Sequence, residues 1–169
     1  MEVRFIKISK EHMIVLTGNM YGEVPSKILN VGDRQAEEAL QWWHGQFGED
    51  FYIELMRHGE EGEDRANELL IQFSRKHKIP LIATNNTYYT NKEEANAHDI
   101  LLCVKEGEKQ ATPIGRGRGY RYGFPNQEYY FKSPEEMKAL CCRWKLSRAH
   151  GFHPFGKELN HGGGLCSFW

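Results

Sequence analysis

Three short apolar runs, each followed by a stretch with helical spacing, constrain this chain more than any other feature of its sequence. The first run, His12 to Thr17, contains Met13-Ile14-Val15-Leu16 and ends at Gly18. Phe51 to Met56 is the second and Leu81 to Thr84 the third. Runs of this length bounded by turn residues read as buried strands of a parallel sheet. Between them, Ala36, Ala39, Leu40, Trp43 and Phe47 recur at the spacing of one helix face, with Asp33 as N-cap and Gly48 as stop. Ala66, Leu69, Leu70 and Phe73 mark a second helix. It must end before Pro80, which has no N–H to give. Asn91-Lys92-Glu93-Glu94 is a capping box with Asn in the Ser/Thr place. It opens a third helix through Ala97, Ile100, Leu101 and Val104.

Strand and helix therefore alternate three times, which predicts an α/β fold with parallel strands and right-handed crossovers. Three units cannot close a barrel, which takes eight strands and about 250 residues. At 169 residues, the chain is expected to form a small open sheet or a part of a larger barrel. From Gln110 to Asn126 neither period is present. Gly115-Arg116-Gly117-Arg118-Gly119-Tyr120-Arg121-Tyr122-Gly123 reads as a long loop rich in Arg, Gly and Tyr. Glu128 to Lys132 is a candidate short strand. Ser133-Pro134-Glu135-Glu136 is a strong helix start, with Ser as N-cap, Pro at the first helical position and Glu at the third. That helix should run through Met137 and Leu140.

Beyond Leu140 the character changes. Residues 141–169 hold three of the four Cys and a Gly162-Gly163-Gly164 run, with no sustained amphipathic period. The expected division is a folded part over 1–140 and a tail over 141–169 that is not native to the fold. Cys141, Cys142, His150, His153, His161 and Cys166 form a candidate zinc set, but no Cys-x-x-Cys pair is present and the spacing matches no zinc module.

Composition narrows the function classes. A formal net charge of −1 argues against the whole chain acting as an electrostatic nucleic-acid binder. No run of roughly 18 apolar residues predicts a membrane helix. The first ten residues have no signal-peptide core. Cys103, Cys141, Cys142 and Cys166 form no evenly spaced disulfide framework, so the expected compartment is the cytoplasm.

Five segments carry a resemblance to a known family. Ile14-Val15-Leu16-Thr17-Gly18-Asn19-Met20-Tyr21-Gly22-Glu23 resembles its Gly-rich strand-to-loop segment. The stretch from Phe47-Gly48 through Phe51-Tyr52-Ile53-Glu54-Leu55 to Gly59 is similar to its Phe-Gly…Glu-Leu…Gly strand. Ile79-Pro80-Leu81-Ile82-Ala83-Thr84-Asn85 resembles its Leu-Pro-Val-Val-Ala-Thr-Asn strand. Ala97-His98-Asp99 with Leu101-Leu102 resembles its Ala-His-Glu…Leu-Leu helix. Tyr129-Tyr130-Phe131-Lys132-Ser133-Pro134-Glu135-Glu136-Met137 resembles its Phe-Tyr-Leu-Lys-Ser-Pro-Glu-Glu-Met. The family is the polymerase-and-histidinol-phosphatase (PHP) domain of bacterial DNA polymerase III alpha subunits. The resemblance covers roughly Met13 to Leu140, the C-terminal part of that domain.

The resemblance implies a partial distorted (β/α) barrel at the start of a large DNA-directed DNA polymerase, a nucleotidyltransferase of DNA replication. The polymerase palm and the family's first His-x-His motif are absent from this chain, so it is expected to be a non-catalytic fragment. Metal-bearing members hold a metal cluster and can act as 3′–5′ nucleases. Where they carry Cys after the Gly of the first segment, this chain has Asn19. Where they carry Asp-x-His after Ala-Thr-Asn, it has Asn86, Thr87 and Tyr88. A neutral amide and a phenol with a pKa near 10 are poor metal donors. The implied role is structural, with no catalytic residues, no cofactor and no metal. The implied partners are the remainder of the polymerase alpha chain, a proofreading exonuclease subunit and, through the parent enzyme, DNA.

Two alternatives come from other classes. One is a free-standing nucleic-acid-binding module using Arg116, Arg118 and Arg121 with Tyr120 and Tyr122, since cations neutralise phosphates and aromatic rings stack on bases. The other is a residual metal-dependent phosphoesterase or 3′–5′ exonuclease. Asn19, His58 and Asn86 each follow the end of an expected strand, the face on which barrel sites are built. Arg57 and His58 read as a solvated loop pair, and His98 and Asp99 as packing and helix-terminus electrostatics.

Overall fold

The structure, a computed structural model, describes residues 12–142. The expected tail lies almost wholly outside these residues, as do all three His and Cys166 of the candidate zinc set.

Three parallel strands form the sheet in the order β1 (Val15–Leu16), β2 (Phe51–Leu55), β3 (Leu81–Ala83). Val15 lies opposite Phe51 and Ile53 opposite Leu81. Thr17 extends the first ladder, donating its N–H to the Tyr52 carbonyl at 3.1 Å and accepting the Glu54 N–H on its hydroxyl at 2.9 Å. The sheet is open: among the described residues its three strands do not close into a barrel.

Helix α1 (Glu23–Asn30) occupies a segment to which the sequence pattern assigned no element. Its signal is hidden by flanking glycines and by Pro25. Proline is tolerated there because a first-turn N–H has no helical partner. Val24 and Ile28 of α1 are buried, and α1 packs on α2 (Asp33–Phe47). Gly22 precedes it because a Cβ at that position would stand 2.2 Å from the Thr17 carbonyl oxygen. Asp33, expected as N-cap of α2, is its first helical residue, and Gly32 takes the cap position. Gly48 ends the helix as expected.

Helix α3 (Glu63–His77) ends at Lys78, which adopts left-handed geometry (φ 57°) two residues before Pro80. Phe51, Ile53 and Leu55 of β2, Leu40 of α2, Leu70 of α3 and Leu81 of β3 meet in one core. Each such side chain contributes about 1.5–3 kcal/mol through apolar burial.

The capping box at Asn91 and Glu94 forms as expected and leads into α4 (Ala95–Glu106). Ile100, Leu101 and Val104, the apolar residues that mark this helix, are 44%, 66% and 74% exposed. Only Cys103 of α4 is buried. The expected strand from Glu128 to Lys132 reduces to one bridge, Tyr130 to Tyr89. Helix α5 (Pro134–Cys142) starts as expected. The Ser133 hydroxyl accepts the Glu136 N–H at 3.2 Å, and the Glu136 carboxylate accepts the Ser133 N–H at 2.8 Å. Among the described residues, no helix is long and apolar enough to cross a membrane.

Candidate functional site

The three strands end side by side, and the residues following them form the candidate site. Asn19 follows β1 and turns inward on its own loop: its side-chain oxygen accepts the Tyr21 N–H at 3.0 Å. Asn86 follows β3 and uses its backbone, donating N–H to His58 Nε2 at 3.1 Å. Tyr88 is exposed, with its ring edge against Phe124 at 4.6 Å between centroids.

His58 is not a solvated loop residue. It is 2% exposed. Because Nε2 accepts the Asn86 N–H, Nδ1 carries the ring hydrogen toward Glu63 Oε1 at 3.1 Å. Arg57 beside it forms an ion pair with Asp64. Glu63, the first residue of α3, gathers this loop. Its other oxygen accepts the backbone N–H groups of His58, Gly59 and Glu60 at 2.8, 2.8 and 3.1 Å. Burial pushes the Glu63 carboxyl up, but the hydrogen bonds from His58 and the backbone outweigh it and hold the group below the usual carboxylate range.

Glu54 is the second buried acid at the strand ends. It accepts the Thr84 hydroxyl at 2.5 Å. Burial raises its pKa above the usual range, against the pull of the Thr84 hydroxyl and the Gly18 N–H. A Glu within an apolar strand was visible in the sequence; the cradle around Glu63 was not, because it depends on how the loop 58–60 folds back.

The three positions expected to have lost their metal ligands bring weak metal donors. Asn19 brings an amide engaged in its own turn, Asn86 an amide, and Tyr88 the phenol of an exposed residue. Among the described residues no three His, Cys, Asp or Glu side chains come together to hold a metal ion.

A column of rings leaves the strand ends. His58 stacks on Tyr129 (4.6 Å, 10° between planes), Tyr129 on Phe124 (4.3 Å, 27°) and Phe124 on His98 (5.0 Å, 20°). His98 and Phe124 line a cavity of about 290 Å³ beneath α4. Lys132 is fully buried nearby, donating to Asn85 Oδ1 at 3.1 Å and to the Glu128 carbonyl, with the Tyr130 ring 4.5 Å away. Burial lowers its pKa.

The Arg/Tyr loop is divided. Arg121 is 6% exposed and therefore is not available to a phosphate. Its guanidinium grips both Asp99 oxygens at 2.6 and 2.9 Å and donates to the Thr112 carbonyl at 2.8 Å. The bond from Arg121 holds the Asp99 carboxyl below its usual range. Arg116 and Arg118 are exposed at the loop tip.

Relatives with the same stretch decide the family. The chain is 36% identical over 130 residues to the DNA polymerase III subunit alpha of Borreliella burgdorferi, covering 77% of this chain and 11% of that one. It is 35% identical over 137 residues to that of Thermus aquaticus, covering 79% and 11%, and 36% identical over 141 residues to that of Mycobacterium leprae, covering 83% and 12%. The chain belongs to the DNA polymerase III alpha subunit family. It spans about 11% of the length of the first two relatives. No family model matches it. In this alpha-family chain, the matched stretch is long enough to hold the strand ends, the ring column and α4 together.

Proposed function

We propose that this chain serves a DNA polymerase III alpha subunit as a PHP-type bracing segment without metal chemistry, and that α4 carries its contact with the rest of that subunit. The observation that carries the reading is the outward apolar row of Ile100, Leu101 and Val104. A helix that spends its apolar positions on solvent has a face to bury elsewhere. The relatives carry about nine-tenths of their length outside the matched stretch, which supplies the occupant. The residues at the strand ends support the other half of the reading. Asn19 serves its own turn, Asn86 bonds His58 through its backbone and Tyr88 packs on Phe124, and none is a good ligand for a borderline or hard cation. Docking of a proofreading exonuclease on the same segment and a domain boundary near Leu140 belong to this proposal.

The test supplies the remainder of an alpha chain in trans and measures its binding to this chain. Leu101→Asp with Val104→Asp, both on the exposed face, is expected to weaken binding at least tenfold while leaving the melting curve unchanged. Undiminished binding overturns the docking role. Metal analysis of the unsubstituted chain, purified without chelator, is expected to find no stoichiometric zinc or manganese. Tightly held metal lost on substituting strand-end residues overturns the metal-free reading.

A further inference from the structure

The cavity beside the Arg/Tyr loop is used neither by the apolar row of α4 nor by the strand-end turns. We propose that it accepts one unstacked base of a single-stranded nucleic acid, with the flanking phosphates on Arg116 and Arg118. The inference is independent of the bracing role.

The cavity of about 290 Å³ lies between α4 and residues 124–127 and is lined by Tyr89, Asn96, His98, Asp99, Phe124 and Gln127 among others. That is near the lower bound of about 300 Å³ for small-molecule pockets, room for one planar ring system rather than a folded chain.

The walls match a base. The ring column from His58 through Tyr129 and Phe124 reaches His98 at this cavity. A base is itself a flat π-system and extends such a column; stacking of this kind tolerates any base. Gln127 brings an amide to the lining, which both donates and accepts, as a base edge requires, and Asn96, whose oxygen accepts from Gln110 at 2.8 Å, adds an amide donor. A segment of apolar peptide would gain nothing from these amides.

The charge arrangement fits as well. Arg121 neutralises Asp99 in the cavity wall and ties the loop to α4. Ile114 of the same loop lines the cavity, so the tip bearing Arg116 and Arg118 starts at its edge. Gly117 and Gly119 at that tip have φ of 95° and 87°, a turn that β-carbon-bearing residues rarely make. Arg116 donates to the Tyr21 hydroxyl at 3.3 Å, an exposed bond that a phosphate can replace. With a net charge of −1, the chain lacks a general attraction for phosphate, so binding must depend on the base and on these two cations.

Fluorescence anisotropy of the 169-residue chain with a short labelled oligothymidylate at low salt tests the proposal. The probe is expected to bind, and an abasic backbone of equal length to bind at least about tenfold more weakly, as loss of one base stack predicts. Arg116→Ala with Arg118→Ala is expected to weaken the thymidylate and flatten its salt dependence by about 1.4 in log–log slope. His98→Ala should erase most of the preference over the abasic probe. Gln127→Trp, an exposed substitution that obstructs the cavity, should do the same and guards against misfolding of the His98 variant. Equal binding of both probes would overturn the base site and leave only a charged loop. Absence of binding at low salt, or a base preference untouched by both cavity variants, overturns it too.

Discussion

Glu54 sits between Ile53 and Leu55 in β2, on the opposite face of the strand, and is itself buried. Its pKa is raised in the folded chain, chiefly by burial. The stability this group contributes is therefore present below the unfolded carboxyl pKa of about 4.3 and lost as pH rises through the folded value. At neutral pH the ionised side chain opposes folding. Glu54→Gln keeps an oxygen for the Thr84 hydroxyl and removes the charge, so it is expected to be more stable than the parent at pH 7 and to lose that advantage by pH 4. Denaturant melts at the two pH values check this; a variant less stable at both would contradict it. Lys78 presents a separate case. It is exposed and holds φ at 57° to close α3, a region that favours glycine. Lys78→Gly is expected to stabilise the chain by about 0.5–1 kcal/mol, the strain relieved less the added chain entropy. A loss of stability in thermal melts would show that Lys78 contributes something beyond its backbone.

At the scale of elements, the stretch between α4 and α5 is held by side chains instead of a ladder. Arg121 donates to Asp99 and to three backbone carbonyls. Removing one member of such a pair leaves the other charge without its partner, so Arg121→Ala should destabilise the chain and expose residues 110–123 to rapid hydrogen exchange. The pH dependence has a defined sign. The Asp99 pKa is lowered, so its contribution is present above the ordinary Asp value and lost as pH falls through the folded one. Acid should open this loop in the parent and change it little in Arg121→Ala; an equally protected loop in both would exclude the anchor role. The elements themselves were largely legible. Both capping boxes, the Gly48 stop and the three strands follow from local pattern, because each depends on neighbours a few residues away. Helix α1 escaped because eight residues bearing a Pro and flanked by Gly give little periodic signal. The strand expected at 128–132 has suitable residues, but Tyr129 turns into the ring column and leaves a single bridge.

For the whole molecule, the open sheet has consequences. Among the described residues β1 and β3 each pair on one side only, and unpaired strand edges invite association. Concentration-dependent self-association is therefore expected in sedimentation velocity, and Ile14→Lys, an exposed position beside β1, should shift the chain toward monomer. A monomer at every concentration would show that the edges are covered. Alternating strand and helix patterns determined an α/β chain with parallel strands. The side-chain types at positions 19, 86 and 88 put two amides and a phenol, all poor metal donors, after the strands. Five ordered segments pointed to the family to which the relatives assign the chain. Packing in three dimensions was needed to show that His58 is buried against Glu63, that Arg121 faces inward while Arg116 and Arg118 face out, and that α4 turns its apolar row to solvent. Pattern reports how polarity repeats along one element. Burial and pairing depend on which elements pack over that one, and Glu63 reaching back to the loop 58–60, or Asp99 meeting Arg121 across 22 residues, leaves no periodic trace.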